Sequence, residues 1–215
     1  MKRVILLAVV VLMATMSALA QIPANVKEVM KKCEQSMDYP SGLVLDAILT
    51  AKVAFISTGG TMKMCSKGDK AFTLVEMKYK GEMLREEDGF DGEQQWEYTQ
   101  ASGKNEKDTL IITKATQTMK NDYTIDFDID KEYKKASMKE SGLYYVITFS
   151  DPLKKDLPKK TIIKIAKDTY YLREYTMSKG LGKITMTVTK VTKGCSDNWF
   201  KLDMNRYKNA VVVRK

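Results

Sequence analysis

Between Leu43 and Phe55 the chain alternates: Leu43, Leu45, Ala47, Leu49, Ala51, Val53 and Phe55 fall on one side, while Asp46, Thr50 and Lys52 fall on the other. Successive side chains of a strand point to opposite faces, so a period of two held this long specifies one long strand with a single buried face. Turn residues follow at short intervals. Ser57-Thr58-Gly59-Gly60 is predicted to close a hairpin, with Thr61 to Cys65 returning, and Lys67-Gly68-Asp69 turns the chain into a strand over Ala71 to Tyr79. Gln95 to Gln100, Asp108 to Thr113, Leu143 to Phe149, Thr161 to Lys167, Tyr170 to Ser178, Lys183 to Val191 and Ala210 to Val213 read as further strands.

Only the start has a clear helical period. Val26, Val29, Met30, Cys33 and Met37 recur at three- and four-residue spacing, so Pro23 to Met37 is predicted as an amphipathic helix, with Asn25 and Glu28 as its capping box and Tyr39-Pro40-Ser41-Gly42 as its stop. Thr113 to Asn121 is open between a short helix and a loop, and Asp130 to Glu140 has helical propensity. About nine or ten strands at short spacing, opened by one helix, predict a mainly β (α+β) domain built on a curved antiparallel sheet or barrel. No linker or repeat divides it.

Lys2 and Arg3, the apolar run Val4 to Met13 and Ala18-Leu19-Ala20 have the layout of a secretory leader, so residues 1–20 are expected to be a signal peptide cleaved after Ala20, and 21–215 a single domain. The apolar run is short of the ~20 residues that span a bilayer. The net charge is +9. In an exported protein that excess favours anionic lipid headgroups or acidic partners over nucleic acid, with lysines also serving to solvate strand faces and edges. The three cysteines, Cys33, Cys65 and Cys195, fit no zinc or CxxC spacing; one disulfide of undetermined pairing and a set of buried thiols are equally compatible with them.

Histidine is absent, which removes Ser/His/Asp and Cys/His nucleophile systems and His-based zinc sites. Glu86, Glu87, Asp88, Asp91 and Glu93 cluster in a stretch punctuated by glycine and read as a solvated loop. Asp126, Asp128 and Asp130 alternate with Phe127 and Ile129, but no suitably placed Gly and distant Glu complete a calcium loop. Gly180 and Gly182 lie between strands, where a hairpin needs them and a nucleotide loop does not. No catalytic residue, metal site or cofactor is expected. What remains is soft and apolar: Met62, Met64, Met77, Met83, Met177 and Met186 lie in or beside strands, and methionine suits both core filling and a surface that repacks around variable apolar ligands.

The order of elements, together with Asp91-Gly92 leading into Trp96-Glu97-Tyr98 and the closing segments Trp199-Phe200-Lys201-Leu202-Asp203 and Asn209-Ala210-Val211-Val212-Val213-Arg214, resembles the LolA-like family of periplasmic outer-membrane lipoprotein carriers and sorting proteins. The likeness runs over nearly all of the chain after residue 20, through short and degenerate motifs. It implies an unclosed, strongly curved antiparallel sheet, a half-barrel, with an N-terminal helix and short lid helices over a concave face that holds acyl chains. Where the best-known carriers have an Arg-Pro pair, this chain has Lys67 to Ala71, which puts Lys70 at the expected cavity mouth. From alternation the expected acyl lining is Leu45, Leu49, Val53, Met62, Met64, Phe72, Leu74, Trp96 and Met186. The function so implied is a non-enzymatic periplasmic carrier of an acylated lipoprotein or other lipid, with transient membrane-surface contact and inner- and outer-membrane lipoprotein-handling proteins as partners. A non-catalytic envelope sensor or scaffold that binds a protein partner is the alternative.

Overall fold

In the computed structural model, residues 22–79, 81–101, 106–115 and 132–215 are described. Pro23 is set at φ −56° just ahead of helix α1 (Ala24–Met37), and its carbonyl accepts from the Val26 and Lys27 N–H groups. The capping box does not form. The Asn25 carboxamide accepts from Val26 N–H, and Glu28 instead pairs with Lys32 along the exposed face. The inward stripe is the predicted one, with Val26, Val29, Met30, Cys33 and Met37 all buried.

The rest is β: β1 (Leu43–Val53), β2 (Ile56–Lys67), β3 (Lys70–Tyr79), β4 (Glu82–Phe90), β5 (Gln94–Thr99), β6 (Thr109–Lys114), β7 (Tyr133–Ser141), β8 (Tyr144–Pro152), β9 (Lys160–Ala166), β10 (Leu172–Lys179), β11 (Gly182–Lys193) and β12 (Val211–Arg214). They form a 12-stranded sheet in the order β12-β6-β5-β4-β3-β2-β1-β11-β10-β9-β8-β7. Every pairing is antiparallel except β12 with β6, which is parallel. The sheet does not close on itself, so the architecture is the mostly antiparallel half-barrel that the resemblance implies. Two meanders, β1 to β6 and β7 to β11, meet where β11 returns to pair with β1. That seam contains a bulge between Asp46 and Ala47, opposite the extra residue Thr189, whose hydroxyl donates to the Asp46 carbonyl. A bulge bends its strand and increases the local twist.

The two meanders bury different faces, and β1 contributes to both cores. On the first face, α1 covers Leu43, Leu45, Ile147, Phe149, Ile163, Ile165, Leu172 and Val188. On the opposite face of the other meander, Cys65, Phe72, Trp96, Leu110 and Ile112 are covered by the C-terminal tail, which turns through two 3-10 helices (Asp197–Phe200 and Met204–Tyr207) and drives in Phe200 and Tyr207. At about 1.5 to 3 kcal/mol for each large apolar side chain taken out of water, either cluster is a substantial core. Trp96 lies directly on its cross-strand partner Gly89. A Cβ there would sit 2.1 Å from the indole, so only glycine admits the ring.

Three readings from sequence alone change. The first hairpin turns at Ala54-Phe55, and Ser57 to Gly60 lie within β2. Of the acidic stretch, Glu86, Glu87 and Asp88 lie in β4, whereas Asp91 and Glu93 do lie in the turn that follows it. Within the stretch Asp130 to Glu140 credited with helical propensity, residues 133–140 belong to β7, paired along its length with β8. The lid helices expected there are therefore replaced by strand. The remainder of the expected lid, the Asp126, Asp128 and Asp130 run, and the proposed leader lie outside the described residues.

Candidate functional site

Beyond the part of the first face that α1 covers, the same alternation continues toward the hairpin tips. Leu49 opposes Met186 on β11 and Gly60 on β2; Gly60 opposes Met77 on β3; Met62 opposes Val75; and Met186 opposes Tyr175 on β10. Directly opposed residues share a face, so Leu49, Met62, Val75, Met77, Met177 and Met186 line one contiguous floor. Each of the six is partly buried, unlike the sealed residues under α1. Gly60 leaves room in this floor for its neighbour: a Cβ there would meet the Glu76 carbonyl at 2.1 Å and Met77 Cγ at 2.8 Å.

The expected lining separates between the two faces. Leu45, Leu49, Val53, Met62, Met64 and Met186 all point to the α1 side, with Leu45 sealed beneath the helix, Met64 and Met186 packed against that cluster, and Val53 at the tip, 58% exposed. Phe72, Leu74 and Trp96 do not join them. They oppose Cys65, Lys63 and Gly89, point to the tail side and pack beneath the C-terminal segment. A register one residue off reverses every side chain of a strand, and β3 and β5 are apolar enough on the tail side to invite that error. The β3 residues that do face the floor are Thr73, Val75 and Met77.

Lys70 is likewise on the tail side, next to the β2–β3 turn and away from the methionine floor. Lys67 makes the ion pair there, its Nζ 2.8 Å from Asp197. Lys67 holds the Asp197 carboxyl below the usual carboxylate range, and the Lys70 charge adds to the effect. Met83 belongs to the tail side too and is exposed at the β3–β4 tip.

Across β4 and β5 the first face changes character. Thr73, Val75, Glu86, Asp88, Glu97 and Thr99 line a shallow depression of about 360 Å³, so the apolar floor has an acidic border. Glu87, between Glu86 and Asp88, faces the other way and is 3% exposed. Arg85 Nη2 lies 2.7 Å from it, Arg206 Nη2 3.0 Å, and the Tyr207 hydroxyl donates to it at 2.7 Å. Burial, followed by this hydrogen bond to Glu87, raises the Tyr207 phenol above its ordinary range. Sequence reasoning missed this network, whose tail partners Arg206 and Tyr207 lie more than a hundred positions from Glu87.

The floor presents thioethers and alkyl groups and no charge, which equips it for burying apolar surface rather than for proton or group transfer. Among the described residues no cluster of three or more His, Cys, Asp or Glu side chains is placed to hold a metal ion.

No family model matches the chain, and no curated protein matches it in sequence. Similarity appears at the level of structure. An uncharacterized conserved protein from Thermus thermophilus matches over 89% of this chain and 99% of its own, with a TM-score of 0.55 at 9% identity. A putative outer membrane lipoprotein-sorting protein domain from Vibrio parahaemolyticus aligns over 81% and 95%, with a TM-score of 0.39 at 12% identity. A chain of the MucA/MucB complex of Pseudomonas aeruginosa aligns over 84% of this chain and 62% of its own, with a TM-score of 0.49 at 7% identity. At such identities the first of these likenesses speaks for a shared fold and for nothing beyond it.

Proposed function

We propose that the chain is a non-catalytic carrier of the bacterial cell envelope that shields acyl chains of a lipid or lipoprotein against the methionine floor. The observation that carries this reading is the contrast on one face: residues under α1 are sealed, whereas Leu49, Met62, Met77, Met177 and Met186 on the same face of the sheet are partly open. A filled core would not leave five soft apolar side chains partly exposed side by side. An acyl chain laid along them gains ~0.8 kcal/mol per buried methylene, and methionine adapts to chains of different length. The residues that resemble the LolA-like carriers support the same reading, as does the leader-like N-terminus for the compartment. Delivery of lipoproteins to the outer membrane is the specific form of carriage that the resemblance suggests.

The test is lipid extraction and mass spectrometry of the protein purified from its native compartment. A stoichiometric acyl lipid or lipopeptide is the expected result. Purification without lipid but with a retained protein partner would replace the carrier with a sensor or scaffold on the same fold.

A further inference from the structure

Hairpin tips in water are usually built from Gly, Asn, Asp and Ser. The β1–β2 tip is Val53-Ala54-Phe55-Ile56. Phe55 is fully exposed, and Ile56 is 64% exposed. Ala54 holds φ +51°, a left-handed conformation that L-residues other than Gly, Asn and Asp rarely adopt. The adjoining β10–β11 tip presents Leu181, 83% exposed. The two tips are joined: Val53 opposes Gly182, and Ala54 N–H donates to the Leu181 carbonyl. One end of the sheet thus offers an apolar prow.

Behind it runs a cationic row. Reading across the strands, Lys160 opposes Ser178, Ser178 opposes Lys183, Lys183 opposes Lys52, and Lys52 opposes Ser57. Lys183 and Lys52 are like charges directly opposite one another, an arrangement that destabilises a free sheet. Lys154, Lys155 and Lys159 project from the neighbouring β8–β9 loop, and Lys179 Nζ donates to the Asp156 carbonyl of that loop. None of Lys52, Lys154, Lys155, Lys159, Lys160 or Lys183 has a carboxylate partner among the described residues.

We propose that this end of the molecule docks on an anionic lipid bilayer, with Val53, Phe55, Ile56 and Leu181 entering the boundary between headgroups and acyl chains and the lysine row meeting the lipid phosphates. The dimensions agree. Phe55 is three positions beyond Lys52 and sits in the turn, a step of at most ~10 Å, and interfacial insertion reaches ~5 to 10 Å. Composition favours lipid over protein as the occupant, because protein interfaces are depleted in lysine and favour arginine, whereas lysine-rich patches are drawn to anionic leaflets. The inference does not depend on the chain carrying an acyl ligand.

The test is co-sedimentation with vesicles of phosphatidylcholine alone and of an equal mixture of phosphatidylcholine and phosphatidylglycerol, comparing variants that share one N-terminus. Binding is expected only to the mixed vesicles, and to weaken with salt. Phe55→Ser combined with Leu181→Ser should reduce it about tenfold or more, as should Lys52→Gln combined with Lys183→Gln. All four sites are exposed, so thermal unfolding and fatty-acid binding should stay unchanged. Equal binding to neutral vesicles, or no effect of either pair, overturns the proposal. So does failure to bind vesicles accompanied by self-association or protein capture that Phe55→Ser abolishes. Loss of fatty-acid binding with intact vesicle binding would count against the carrier reading alone.

Discussion

Glu87 joins two separate parts of the chain: its own strand through Arg85, and the tail through Arg206 and Tyr207. Removing one partner from a buried ionic network leaves the others uncompensated. The two arginines are each about a third exposed to water, which softens the penalty, so Glu87→Ala should cost about 2 to 3 kcal/mol in urea unfolding. Glu87→Gln should cost less, because it still accepts from Tyr207. A double-mutant cycle with Tyr207→Phe should show coupling; strict additivity would mean that the tail is held by Phe200 and its neighbours alone. The carboxylates around Glu87 looked like a solvated loop because charge is the strongest local signal in that stretch. What buries Glu87 comes from more than a hundred residues away and leaves no mark within the window.

The thiols give a second test at this scale. Cys33, on the inward side of α1, lies on one face of the sheet, and Cys65 and Cys195 lie on the other, so the sheet itself separates Cys33 from both. Oxidation of the folded protein should therefore yield a Cys65–Cys195 link or none, checked by peptide mapping; a link to Cys33 would contradict the face assignment. Burial pushes the Cys33 and Cys65 thiols up to about 12, so iodoacetamide at pH 8 should leave both unmodified until the protein unfolds. Both folded values are above the ordinary thiol value. The stability they contribute is complete below the unfolded pKa near 9 and is lost as pH rises toward 12. Cys33→Ala should flatten part of that alkaline decline.

Among the elements, α1 and β1 were legible in extent and in face, β3 and β5 in extent but not in face, and β7 in neither. In α1 and β1 a single period runs through the whole element, and Val26, Cys33, Leu43 and Leu45 fall where it places them. β3 and β5 carry apolar residues on both faces, so alternation alone could not decide whether Phe72 or Val75 faced the floor. β7 is an edge strand rich in lysine and serine, a composition that blunts an exposed edge and removes the apolar signal together with it. The register of β1 can be tested by charge. Leu45→Asp sets an unpaired carboxylate against α1 and should cost about 3 kcal/mol or more, whereas Ile48→Asp, 51% exposed on the opposite face, should stay within about 0.5 kcal/mol. Comparable thermal midpoints for the two variants would contradict the strand faces described above.

Across the whole molecule, an open sheet buries opposite faces at its two ends, α1 on one and the tail on the other. The overall class was readable from strand spacing and the single amphipathic helix. The division of the lining was not, because it depends on which meander each strand belongs to. Between the two cores lies the stretch of the first face that neither covers, where Leu49, Met62, Met77, Met177 and Met186 are partly open. The most direct measurement is saturable binding of a fluorescent fatty acid to the protein and to two single-residue variants. Leu49→Trp fills the floor and should lower affinity about tenfold while leaving the thermal midpoint within a few degrees, since open space accepts a bulk that a packed core does not. Its neighbour Ile48→Trp, on the other face, should bind as the parent does. If the probe fails to saturate, if the two variants bind alike, or if Leu49→Trp simply unfolds the protein, then the methionine floor is packed interior and the carrier account is wrong.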